Sequence, residues 1–184
     1  MVDQEVIENI LSGDKNQFRI LIQRYEDRLF GLCLRMLQNR EKAEDVLQES
    51  FIEIYKNLAA YRFKSSFSTW AYTITYRRIC KEFRQGKKSL VLEEFDQISG
   101  NVDAVYSKEE EIPLDNTELL KVAIESLSPL EQSLLSLYYY DELSIAEIAE
   151  ITHHSQGKIK TILFRLRSKL KKKINVLRKE ANYV

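Results

Sequence analysis

The stretch LSIAEIAEITHHSQGKIKTILFRLRSKL, Leu143 to Leu170, decides the fold. Ser144 followed three residues later by Glu147 has the spacing of a capping box, in which each side chain satisfies a backbone N–H that the helix start leaves unpaired. A short helix carrying Ile145, Ala146, Ile148 and Ala149 therefore begins there, a tight turn follows near Thr152 to His154, and a long basic helix starts from Ser155. With Ile159 at zero on a helical wheel, Leu163, Leu166, Leu170 and Leu177 all fall within about 40° of it, which makes that stripe the core face. Lys160, Thr161, Phe164, Arg165, Ser168, Lys171 and Lys172 take the opposite half. Helix, turn and basic helix in this order are a helix-turn-helix arrangement, with an apolar ring set among cations on its outer face.

Working outward, helical periodicity continues almost everywhere. Phe18, Leu21, Ile22, Tyr25, Leu29, Leu32 and Met36 recur at helical spacing and predict a helix from about Asp14 to Gln38. A second helix, about Glu41 to Ala60, buries Ala43, Leu47, Phe51, Ile54 and Leu58, and a third runs from near Ser66 to Gly86. A short helix before Gly13 packs on this group. Ser128, Pro129 and Glu131 occupy the N-cap, N1 and N3 positions of another helix. Only five Gly and two Pro punctuate the chain, and no stretch alternates as a strand would, so the class is all-α. From Lys87 to Asn116 the periodicity disappears and acids accumulate, among them Glu93, Glu94, Asp96, Asp103, Glu109, Glu110, Glu111 and Asp115. The reading is two small helical domains, 1–86 and 117–184, joined by a flexible acidic linker over 87–116.

Formal neutrality hides strong charge segregation. Residues 62–88 carry 8 basic and 1 acidic side chains and residues 152–184 carry 10 and 1, whereas residues 89–151 carry 2 and 15. Two cationic blocks suited to a polyanion thus flank a segment that would repel one. Cys33 and Cys80 are far apart and have no metal-ligand spacing, and neither they nor the two His form a catalytic set with their sequence neighbours. No catalytic residue, metal or cofactor is expected. No apolar run approaches the roughly 18 residues that span a bilayer, and the acidic N-terminus lacks a secretory pattern, so the expected location is cytoplasmic.

Three faces then stand out. On the third helix Trp70, Arg77, Lys81 and Arg84 share one side, with Arg78 at its margin, opposite Tyr72, Tyr76, Ile79 and Phe83. An indole beside cations can stack on unpaired bases while the cations follow phosphates; alternatively Trp70 and Ile74 are buried against a neighbouring helix and the cations snorkel. On the second helix Asp45, Gln48, Glu49 and Ile52 lie away from the apolar stripe, forming an acidic patch with an apolar anchor that suits a basic protein partner. On the basic helix Phe164, flanked by Lys160, Thr161 and Arg165, is placed to touch a thymine methyl in the major groove. Gly157 costs about 1 kcal/mol relative to Ala in a helix, a cost that makes sense where the first turn must approach a phosphate closely.

The runs AEDVLQESFIEIY (Ala43 to Tyr55), FSTWAYTITYRR (Phe67 to Arg78), LSIAEIAE and GKIKTILFRLRSKL (Gly157 to Leu170) resemble, in order, regions 2.2, 2.3 to 2.4 and 4.2 of the extracytoplasmic-function (group 4) sigma factors of the sigma-70 family. The resemblance covers nearly the whole chain except the linker. It implies a region 2-like domain and a region 4-like helix-turn-helix domain that bind core RNA polymerase and direct promoter-specific initiation. Asp45, Gln48, Glu49 and Ile52 would face the clamp helices of the beta-prime subunit, with the flap of the beta subunit as a further partner. Trp70, Arg77, Arg78, Lys81 and Arg84 would read and help melt the minus-ten element. Ser155, Gly157, Lys158, Lys160, Thr161, Phe164, Arg165 and Ser168 would bind the minus-thirty-five element. An anti-sigma factor, often membrane-anchored, is implied as a partner. Arg77 and Lys81 stand where the family often has Asn and Asp, Ile162 where it frequently has Arg, and Lys158 where it frequently has Thr, so base preference and one phosphate contact would differ. The alternatives are a helix-turn-helix regulator acting without polymerase and a sigma-like protein decoy.

Overall fold

A computed structural model describes residues 2–85 and 117–181. The linker, 87–116, lies outside the described residues. Among these residues the chain is helical, with no strand. The first domain contains α1 (Asp3–Leu11), α2 (Phe18–Leu37), α3 (Arg40–Asn57) and α4 (Phe67–Gln85). Gln38, at φ 51°, ends α2, and the Asn39 side chain accepts the Lys42 N–H to start α3. This left-handed stop followed at once by an N-cap folds α3 back onto α2. Helices α2, α3 and α4 pack on one another with α1 laid across α2. Their shared core includes Ile7, Leu21, Leu29, Leu32, Ile54, Leu58 and Ile79, all essentially without solvent exposure.

The second domain contains α5 (Thr117–Glu125), α6 (Pro129–Leu135) running into a π-helical turn at Ser136–Tyr140, α7 (Ile145–Thr152) and α8 (Gln156–Ala181). Both expected capping boxes are present, at Ser128 with Glu131 and at Ser144 with Glu147. His153 sits in the left-handed region at φ 57° and closes α7, and the Ser155 hydroxyl accepts the Lys158 N–H to open α8. The turn of the helix-turn-helix is thus built from a left-handed cap and a serine cap in immediate succession. Ile159, Leu163, Leu166 and Leu170 are buried as the wheel requires. Ile162 joins them at 2% exposure, so at this position the chain contributes to the core and not to a phosphate contact.

The two domains dock. Helix α2 packs on α6 and α4 packs on α7. In α4 the six successive residues Ala71 to Tyr76 are all buried, because one side of the helix faces its own domain and the other faces the second. The linker read from composition therefore joins two bodies that lie in contact.

Candidate polymerase and nucleic-acid interfaces

On α3, Asp45, Gln48, Glu49 and Ile52 are all exposed, Ile52 by 48% despite its size. Next to them α2 and α3 leave a groove of about 730 Å³, its floor made by Phe18, Ile22 and Phe51 and its rim by Glu26, Glu44 and Asp45. Phe18 meets Tyr55 edge-on at 4.9 Å, which stiffens one end of the groove. Helical spacing exposed Ile52, but only the fold shows that a hollow with an apolar floor adjoins it. Glu49 is engaged from another direction: Arg78 of α4 forms ion pairs with both Glu49 and Glu53. Arg78 is thereby turned onto α3, away from the cations with which its sequence position grouped it.

On α4, Arg77, Lys81 and Arg84 are exposed. Trp70 is half-buried at the edge of an aromatic cluster, 4.9 Å from the Tyr61 ring and 5.8 Å from Phe67, with Phe63 on the far side of Tyr61 at 4.7 Å. The structure thus combines the two readings of this face: Ile74 is buried, Trp70 is packed on one side and open on the other, and the cations reach solvent. Phe63 itself is 45% exposed and holds φ at 54°, an uncommon conformation for a bulky residue. Nothing in the local sequence marks that conformation.

On α8, Lys160, Phe164, Arg165 and Ser168 are exposed, as are Ser155 and Gly157, while Lys158 and Thr161 are half-buried. Phe164 retains 42% of its surface. The Thr161 hydroxyl donates to the Gly157 carbonyl at 3.0 Å. A Cβ on Gly157 would meet nothing within 4 Å, so packing does not require the glycine and the first turn of α8 is open to close approach. Lys169, by contrast, is tied to Glu131 at 2.7 Å.

Family models for sigma-70 region 2 and sigma-70 region 4 match residues 21–89 and 117–170. The chain is 29% identical to the ECF RNA polymerase sigma factor SigW of Bacillus subtilis, over 96% of this chain and 99% of that protein. It is 32% identical to the RNA polymerase sigma factor YlaC of the same organism, over 87% of this chain and 93% of YlaC. The chain is an ECF sigma factor of the sigma-70 family. Its fold agrees with that of CnrH in complex with the cytosolic domain of CnrY, at TM-score 0.67 and 16% identity over 95% of this chain and 97% of that one. It also agrees with the sigma factor RpoE of Bartonella quintana in complex with the anti-sigma factor NepR, at TM-score 0.63 and 19% identity over 86% and 97%. As a sigma factor it binds core RNA polymerase and directs initiation at promoters with minus-ten and minus-thirty-five elements. Sigma factors are not a class of enzymes.

Sequence reasoning missed the seam between the two domains of this sigma factor. Asp141, its side chain 5% exposed, receives Arg35 Nη2 at 3.0 Å and the Tyr72 phenol at 2.9 Å, both from the first domain. Arg35 Nε also donates to the Ser136 hydroxyl. Burial, followed by the negative charge of Asp141 and the hydrogen bond to it, pushes the Tyr72 phenol well above its ordinary value and keeps it a donor. The Thr69 hydroxyl reaches Glu147 at 3.3 Å, and Arg77 Nη2 reaches His153 Nε2 at 2.7 Å. Partial burial alone would raise the Glu147 pKa, but the Ser144 hydroxyl and N–H, together with Thr69, outweigh it and hold the carboxyl below its usual range. Burial pushes the Cys33 thiol up to about 12, leaving it protonated and inert. Among the described residues no group of His, Cys, Asp and Glu could hold a metal ion, and no helix is long and apolar enough to cross a membrane.

Proposed function

We propose that this sigma factor docks on the clamp helices of the beta-prime subunit through the α2/α3 groove, with Ile52 as apolar anchor and Asp45, Gln48 and Glu49 as its polar frame. Helix α4 reads and helps melt the minus-ten element with Trp70, Arg77, Lys81 and Arg84. Arg78 contributes by holding α4 against α3. Helix α8 enters the major groove at the minus-thirty-five element, with Lys160, Phe164 and Arg165 at base edges and Ser155, Gly157, Lys158, Thr161 and Ser168 toward the backbone. The second domain, from about residue 117, also meets the flap of the beta subunit. The protein works in the cytoplasm and catalyses no reaction. A solved relative of like fold is bound to an anti-sigma factor, which supports a partner of that kind here, often membrane-anchored in this family.

The observation that carries this reading is the groove with its exposed isoleucine. A regulator that met only DNA would gain nothing from an acid-rimmed apolar hollow on α2 and α3, away from both cationic helices. Pull-down of core polymerase by the full chain tests it. Ile52→Ala with Asp45→Lys should abolish capture while helicity and thermal unfolding stay near wild type; undiminished capture contradicts the groove assignment.

A further inference from the structure

In the docked structure the two DNA-reading helices are brought together. Arg77, on the open face of α4, contacts His153 in the turn that leads directly into α8, and α7 lies along α4 beside Thr69 and Thr73. Promoter elements at minus ten and minus thirty-five are about 25 base pairs apart, or roughly 85 Å at ~3.4 Å per base pair. Helices in mutual contact cannot occupy both. The roughly 30 residues joining Gln85 to Thr117 could reach on the order of 100 Å if extended, enough for separated domains to do so.

We propose that the docked arrangement is a closed resting form of the free sigma factor, latched by the convergence of Arg35 and Tyr72 on Asp141, and that promoter binding requires the latch to part. The α2/α3 groove lies outside the seam, with Ile52 and Asp45 still exposed, so polymerase can engage the closed form before DNA does.

The chemistry of the seam suits a contact that opens. It is rich in groups that water can satisfy again: Gln38 with Gln132 at 3.0 Å, Thr69 with Glu147, Arg77 with His153, and Tyr76 with Ser133. Ion pairs and amide contacts trade desolvation against attraction nearly evenly, so they specify one docking geometry without making it permanent. Domain interfaces of this polar kind separate more readily than apolar ones. Asp141 gives the latch its specificity: a buried carboxylate tolerates loss of its donors poorly, so the closed form depends on Arg35 and Tyr72 being in place.

The closure stands on geometry alone; its consequence for DNA rests on the proposed roles of α4 and α8. X-ray scattering from the free full chain tests the closure. Wild type should be compact, and Arg35→Gln should raise the radius of gyration by several ångströms at unchanged helicity, with Tyr72→Phe, which removes only a hydroxyl, moving it the same way. Equal dimensions for wild type and both variants overturn the latch. The consequence is tested by Gln38→Cys with Gln132→Cys in a Cys80→Ser background, bridged across the seam with a short bis-maleimide. The bridged protein should still be captured by core polymerase but lose at least tenfold in run-off transcription relative to the same variant capped with N-ethylmaleimide. Equal transcription by bridged and capped protein overturns the proposal. An expanded Arg35→Gln whose capped counterpart fails to transcribe leaves the closed form intact and counts against the assigned roles.

Discussion

The Tyr72 phenol of α4 donates to Asp141 Oδ1 at 2.9 Å, joining two residues that belong to different domains. The acceptor is buried and charged, so the bond is of the stronger kind. Tyr72→Phe should lower the stability of the full chain by about 1 to 3 kcal/mol in urea unfolding. An unchanged midpoint would mean that the domains are apart in the free protein.

A second expectation concerns the outer face of α8. Lys160→Ala and Phe164→Ala should each weaken binding to the cognate minus-thirty-five sequence by roughly 1 to 3 kcal/mol, while Lys172→Ala weakens all sequences alike. Competition gel shifts with cognate and scrambled duplexes separate the two. If Phe164→Ala lowers stability and leaves sequence preference unchanged, the ring serves the core.

For α4, Trp70→Ala should allow a closed promoter complex to form and reduce opening of the minus-ten region, since each stacked base is worth about 1 to 3 kcal/mol. The indole also packs on Tyr61 and Phe67, so some stability is lost as well. Permanganate reactivity of unpaired thymines is the readout. Normal reactivity in a folded variant would assign the indole to packing.

The Glu147 carboxyl is held below its ordinary value of 4.5. A carboxyl depressed on folding contributes stability above its unfolded pKa and loses it as the pH falls through its folded one. Glu147→Gln should therefore be less stable than wild type near pH 7, and the difference should shrink toward zero by about pH 3.5. Thermal unfolding of the pair at the two pH values measures this. A difference that persists in acid would place the effect in packing.

What could be read from the sequence followed from local periodicity and capping. Ser144 with Glu147, Ser128 with Glu131, and the Ile159 to Leu170 stripe are decided within a few residues of chain, and the fold places them as read. The exposed faces of α3 and α8 followed for the same reason, since a residue opposite a buried stripe faces water. Arg78 was misgrouped because a wheel gives direction around one helix and cannot show the carboxylates of Glu49 and Glu53 on the next. The seam was invisible for a stronger version of the same reason: Arg35, Tyr72 and Asp141 are separated by tens of residues, and each alone reads as an ordinary amphipathic or turn residue. One sign was present, the run Ala71 to Tyr76, in which Thr73 and Thr75 break the amphipathic pattern of a helix buried on both sides. Ile162 shows the opposite limit, because a substitution judged only by what the family carries there was read as a lost contact when the residue had joined the core.

The central claim is that this chain confers promoter choice on RNA polymerase through the α2/α3 groove. Transcription of total genomic DNA by core polymerase, with transcript 5′ ends mapped in the presence and absence of the purified protein, tests it most directly. The account predicts a set of new start sites sharing minus-ten and minus-thirty-five sequences, all lost with the Ile52→Ala, Asp45→Lys protein. Start sites unchanged by the wild-type protein, or new sites that persist with that variant, would contradict it.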